Sequence, residues 1–387
     1  MPLLFVVNEL YLNVQMLLSL LFLFQLQVYP INAINELGRP VKRFYKNPVE
    51  KNFLKPSLQS EVLRNRLSIY FPETEGNYPV VFFVHGWGCN KRNIASMARF
   101  VASNGFITVA ISVKERRYPE NWLPALQSAI QLVKDECTQS ESPLYNKVDF
   151  SRMGLVGHSM GGAAVLHYAN RHREIDAVIA LHPYNGGKGI VSWVGGENNT
   201  LTDKLYNQTA STLILSGTDD IVALPEKTYM FFEGLTCASP DTYSSGDEIP
   251  SFANDRPYML VEALTVASGV KKAIKQTKTL SIPDIEHSFD EGTFPLCLFL
   301  LLDGCNHIYP TELEYQYFTQ KYKSAYLVYQ LLVVSYLQAS LNNDEQSKAL
   351  FTPGTTDFEM LKTILAPLDK KGVPAFDAKT AKTAKTR

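Results

Sequence analysis

An excess of charge of either sign is missing from this chain: 37 Lys and Arg stand against 38 Asp and Glu, a formal net charge of −1. Nucleic-acid binding needs a basic surface patch, so this balance argues against general binding to DNA or RNA. Cysteine is scarce, with Cys89, Cys137, Cys237, Cys297 and Cys305 too few for a disulfide scaffold and odd in number. A bridge between Cys297 and Cys305 is expected, because they flank the very apolar Leu298–Gly304 stretch; buried thiols acting as small hydrophobes are the alternative. The seven histidines include no H-x-x-x-H spacing, so no metal and no cofactor is implied. Internal repeats are absent. So is any Lys or Arg before Arg39, which leaves the apolar Met16–Phe24 run without the usual basic flank. That run is short for a membrane span and is read as the core of a signal peptide ending near Ala33. Translation from Met16, an N-terminal anchor or a buried strand are alternatives.

What is present is ample apolar material, 45% of 387 residues, enough for one α/β core with extensions at both ends. Strand-like runs at 66–71, 80–85, 108–112, 154–156, 177–181, 212–216 and 279–282 alternate with helical ones at 93–103, 125–136, 160–170, 226–234 and 258–276. This alternation predicts an α/β fold, a mostly parallel sheet covered on both faces, closed by a last helix over 317–341. The division expected is a signal segment over 1–33, a core domain over 34–345 and an extension over 346–387. The extension ends in a basic, low-complexity tail expected to be disordered; weak attraction to an anionic membrane surface is its alternative role.

The densest local signal is Arg152-Met-Gly-Leu-Val-Gly157-His158-Ser159-Met160-Gly161-Gly162. It reads as an apolar strand, a turn in which Gly157 and Gly161 remove clashing Cβ atoms, and a helix, which would leave Ser159 exposed above a sheet edge. A serine nucleophile needs an acid, a base and donors for an oxyanion, and in this architecture they follow in the order Ser, acid, His. The strand over 212–216 runs into Gly217-Thr-Asp219-Asp220, and the strand over 279–282 runs towards His287. Upstream, Val80–Val84 leads into His85-Gly86-Trp87-Gly88, a glycine-rich turn suited to presenting a backbone N–H. The other histidines, His85, His158, His167, His172, His182 and His307, are read as packing or hydrogen-bonding groups. Asp219 is read as a turn cap or a solvated group.

These residues resemble the α/β-hydrolases, on the branch of the cutinase-like polyesterases, platelet-activating-factor acetylhydrolases and chlorophyllases. The resemblance covers about 67–341 and rests on His85-Gly-Trp-Gly88, Val148–Gly162, Leu181-His-Pro-Tyr184-Asn185 and Gly217-Thr-Asp-Asp220. It implies an α/β-hydrolase fold with Ser159 as nucleophile, Asp220 as acid, His287 as base, the Trp87 and Met160 amides as oxyanion hole, and Trp87 and Tyr184 lining a substrate cleft. It departs from compact members in the long interval between Asp220 and His287, and in the second carboxylate, Asp219. The short connection after 177–181 excludes a large cap domain. The expected function is a secreted serine ester hydrolase, carboxylesterase- or lipase-like, working through an acyl-enzyme on an ester or lipid-like small molecule. A phospholipase of the acetylhydrolase type and a non-catalytic hydrolase-fold binder are the alternatives. Sequons at Asn198 and Asn207 add weight to secretion.

Overall fold

The run Pro79-Val-Val-Phe-Phe-Val84 has no polar face because it is buried on both sides: Val81 and Phe83 join one apolar core, and Val80, Phe82 and Val84 the other. The computed structural model describes residues 31–34, 67–113, 122–185, 205, 208–236, 258–262, 297–302, 305–312, 320–352 and 354–358. Among them are strands β1 (Ile31–Ile34), β2 (Leu67–Pro72), β3 (Tyr78–Val84), β4 (Ile107–Ile111), β5 (Val148–His158), β6 (Ala177–Leu181), β7 (Ser211–Gly217), β8 (Tyr258–Glu262) and β9 (Cys297–Leu302). They form one sheet in the order β1-β2-β4-β3-β5-β6-β7-β9-β8. β1 pairs with β2, and β2 with β4, antiparallel; every other pairing is parallel.

Helices α1 (Ala95–Ala102), α5 (Gln320–Leu341) and α6 (Glu345–Phe351) cover one face. Helices α2 (Trp122–Cys137), α3 (Met160–Ala169) and α4 (Pro225–Thr236) cover the other. The two-sided parallel sheet of the α/β-hydrolase fold is therefore present. Packing runs past position 345, because Leu350, Phe351 and Phe358 are buried against α5 and the sheet. No helix of the described residues is long and apolar enough to cross a membrane.

Three expectations change. The helix expected over 258–276 begins instead as strand β8, in register with β9 from Tyr258↔Cys297 to Glu262↔Leu301. Cys297–Leu302, which carried no strand signal, is β9; its Leu-rich sequence lacks the β-branched residues that mark strands. The Cys297–Cys305 bridge does not form, and no disulfide joins the described cysteines. Cys297 opens β9 and Cys305 lies past its other end. Six extended residues span about 20 Å, whereas bridged Cα atoms lie within about 7 Å. Strand β1 straddles the expected cleavage point near Ala33. The strand expected over 279–282, His287, Cys237, the sequon asparagines Asn198 and Asn207, and the basic tail lie outside the described residues.

Candidate active site

Parallel pairing levels the carboxyl ends of the strands, with His158↔Leu181 across β5 and β6, Leu181↔Leu215 across β6 and β7, and Gly217↔Leu302 across β7 and β9. Every group of the site hangs from this edge, where open α/β sheets hold their ligands. Ser159 joins β5 to α3 with φ 56° and ψ −121°, a conformation that non-glycine residues adopt only when the surroundings enforce it. Close packing does so here. A Cβ on Gly157 would fall 2.2 Å from the Gly161 carbonyl oxygen, and one on Gly161 would fall 2.4 Å from that of His85. The Ser159 N–H donates to the Leu181 carbonyl (2.9 Å), and the Tyr184 N–H donates to the Ser159 carbonyl (3.0 Å).

The turn after β3 lies against this elbow, since a Cβ on Gly86 would come 2.8 Å from Ser159 Cβ. His85 shapes that turn: its Nδ1–H donates to the Gly86 carbonyl (2.7 Å), and its Nε2 accepts from the Val113 N–H (3.0 Å). The Trp122 indole N–H holds the His85 carbonyl at 2.9 Å. A planar trans peptide points its N–H opposite to its C=O, so fixing the Gly86 carbonyl fixes the direction of the Trp87 N–H. Met160 opens α3, which makes its N–H one of the first-turn donors without an intrahelical acceptor.

The imidazole at Ser159 is that of His307. Its Nε2 lies 2.9 Å from Ser159 Oγ and its Nδ1 lies 2.8 Å from Asp220 Oδ2. Asp220 Oδ1 accepts the backbone N–H groups of Val222 and Ala223, both at 2.8 Å. Its Oδ2 also accepts from His182 Nδ1 at 2.6 Å, and His182 Nε2 meets the Tyr329 hydroxyl at 2.5 Å. His158, before the serine, donates through Nε2 to the His307 carbonyl at 2.7 Å. Ser159, His307, Asp220, His182, Tyr329 and His158 are all buried. Burial raises the Asp220 carboxyl, but the hydrogen bonds from His182 and His307 outweigh it and hold the group far below the usual carboxylate range. Burial also lowers the His182 imidazole, with Asp220 opposing, and lowers His158 further, helped by the neighbouring His307 and His182.

The structure thus brings together Ser159, Asp220 and, on flanking turns, Trp87 and Met160. Asp219 is exposed, with its N–H on the Cys305 carbonyl at 2.9 Å. Tyr184 is buried in the core, leaving little of its surface for a ligand, whereas Trp87 stays 40% exposed. His287 lies outside the described residues, and the histidine that the structure places at the serine was read from sequence as a packing group. A signal for His307 was present: five residues past an apolar run, after Asp303-Gly304-Cys305-Asn306, it repeats the strand, glycine and polar-turn order that presents Asp220.

His182, Asp220 and His307 also place their ligand atoms within 4.8 Å of one another. Their Nδ1–Oδ2 separations of 2.6 and 2.8 Å are hydrogen-bond distances. Donors held about 2.0–2.1 Å from a tetrahedral zinc ion would stand more than about 3 Å apart. The cluster therefore fits shared protons better than a cation.

Residues 66–245 match the family model described as PET hydrolase-like. Cutinase est2 of Thermobifida alba is 26% identical over 185 residues, 45% of this chain and 57% of that protein. Cutinase 1 of Thermobifida cellulosilytica is 25% identical over 203 residues, 52% of this chain and 70% of that one. A bis(hydroxyethyl) terephthalate hydrolase of Streptomyces coelicolor is 26% identical over 181 residues, 45% of this chain and 56% of that protein. The chain thus spans little more than half the length of several relatives. The family-model match contains Ser159 and Asp220 and stops before β9 and His307.

Proposed function

We propose that this chain, which has the α/β-hydrolase fold and resembles the cutinase-like polyesterases of that superfamily, hydrolyses carboxylic esters with Ser159, His307 and Asp220 as its triad. The observation that carries this reading is the continuous path from Ser159 Oγ through His307 to Asp220, at 2.9 and 2.8 Å. His307 takes the serine proton as Oγ attacks the ester carbonyl, and Asp220 holds the tautomer with hydrogen on Nδ1 and stabilises the imidazolium. The Trp87 and Met160 amides receive the oxyanion. His307 then protonates the departing alcohol, and water, deprotonated by the same imidazole, releases the acid from the acyl-enzyme.

Apolar surface at the rim supports an apolar ester. Trp87 (40% exposed), Ile221 (60%) and Ile308 (38%) are three of the four exposed large hydrophobic residues among those described. They sit in the oxyanion turn and directly after Asp220 and His307, respectively. Secretion directed by the Met16–Phe24 segment belongs to the same proposal; sequencing the N-terminus of the mature protein tests it.

The test of activity is hydrolysis of p-nitrophenyl esters from acetyl to palmitoyl by wild type, S159A, H307A and H287A, with fluorophosphonate labelling of each. Wild type and H287A are expected to turn over and label, S159A and H307A to do neither. Full activity in H307A, or its loss in H287A, would overturn the assignment of the base.

A further inference from the structure

Asp220 serves two imidazoles with one oxygen, and only one of them reaches the serine. A carboxylate accepts and cannot donate, so His182 must present Nδ1–H to Asp220 Oδ2. Its Nε2 is then bare and accepts the Tyr329 O–H. The result is a directed chain, Tyr329 O–H to His182, His182 N–H to Asp220, running from α5 into the carboxylate. Each link is wholly buried, which removes water as a competing partner. His182 follows β6 with φ 46°, a left-handed backbone that an imidazole seldom occupies without being held there. Space has been kept for its ring: a Cβ on Gly217 would come 2.9 Å from His182 Cε1. With Val222 and Ala223 on Oδ1, Asp220 receives four donors, about as many as its lone pairs accept.

On the footing of the ester-hydrolase reading above, we propose that His182, oriented by Tyr329, is a positioning residue that holds Asp220 Oδ2 against His307. It touches neither the serine nor the oxyanion turn in any hydrogen bond described above; its ring stands edge-on to that of His307, with centroids 5.9 Å apart, and its hydrogen-bonded link to the triad runs through the carboxylate. Without it, Oδ2 loses the donor opposite His307 and the carboxylate can turn about its side-chain bonds, letting the imidazole drift from Ser159. Displacements of that kind cost on the order of 10- to 100-fold in turnover.

The experiment compares H182A, H182N and Y329F with wild type in the full chain. Asparagine can place an amide N–H near the position of Nδ1 and tolerates a left-handed backbone. H182A is expected to lose on the order of 10- to 100-fold in kcat with KM changed by less than about twofold, and to label correspondingly slowly with fluorophosphonate. H182N is expected to recover most of kcat, and Y329F to fall between the two. Proton NMR of imidazole-15N-labelled protein reads the arrangement without turnover: besides the Nδ1–H of buried His85, wild type should show slowly exchanging Nδ1–H signals from both His182 and His307, and H182A should lose one of these. A folded H182A or Y329F with wild-type kcat and labelling would overturn the proposal, as would an H182A spectrum that keeps every Nδ1–H signal of the wild type. If wild type neither hydrolyses esters nor labels, the ester reading fails by itself, and the NMR signals still decide whether Asp220 is shared. Should H182A not fold, H182N and Y329F carry the comparison.

Discussion

The two sides of Asp220 offer a comparison inside one molecule. On each side an imidazole approaches Oδ2 through Nδ1, at 2.8 Å from His307 and 2.6 Å from His182. What differs is the group at the far nitrogen. His307 meets a serine hydroxyl in a strained turn at the sheet edge, beside exposed Trp87 and Ile308. His182 meets a phenol inside the core, where burial raises the Tyr329 hydroxyl well above its ordinary value. An Asp–His pair is thus not catalytic in itself. It becomes so when the distal nitrogen holds an alcohol that a carbonyl can approach, and it is a brace when that nitrogen holds a group sealed from solvent.

Breaking the outer side should have the largest effect. S159A or H307A is expected to lose on the order of 10⁵ in kcat, measured on a short-chain p-nitrophenyl ester, while H287A stays close to wild type. Replacing the shared acid, as D220N, is expected to cost about 10⁴, because an amide can place a donor where His307 needs an acceptor. Only that variant disturbs both sides at once, so it should also lower thermal stability, whereas S159A should not. On the inner side alone, Y329F is expected to destabilise by about 1–3 kcal/mol in urea unfolding, since it strands a buried Nε2.

The gentlest probe is pH. His158 and His182 have folded-state values lowered by burial, so the unfolded chain binds more protons than the native one below the ordinary histidine value of about 6.5. Their contribution is complete above that pH and is lost as pH falls towards the folded values. The melting temperature should therefore decline from pH 7 to pH 5, and a folded H182N should show a shallower decline. Asp220 acts lower down: its depressed value gives stability that is present above about pH 4 and lost as pH falls further. A melting temperature that rose on acidification over this range would contradict both.

How far the site was legible from sequence follows from how local each part is. Ser159 and the turn at His85–Gly88 announce themselves, because the packing that makes them needs glycines at fixed spacing, visible in a dozen residues. Asp220 was readable at one remove, as a carboxylate three positions past a strand-ending glycine. The proposed base was fainter. His307 follows Cys297–Leu302, whose leucines fit a buried helix as well as a strand, so the turn behind them drew less notice. His287 followed a run with more strand character, 279–282, and so drew the assignment. Tyr258–Glu262 was misread as helix because its pairing with β9 is a property of the sheet rather than of its own five residues. The partnership of His182 with Tyr329 joins positions 147 residues apart, and nothing near either one foretells it.

Strand β8 does more than lengthen the sheet. Because it lies outside β9, the strand leading to His307 is bonded on both flanks, to β7 and to β8. Among the described residues the outermost strands of the sheet are β1 and β8, neither of which supplies a residue to the site. Fraying begins at margins, and so does accidental pairing with another extended chain. Both hazards are therefore met two or more strands away from Ser159, by parts of the molecule that take no part in the chemistry.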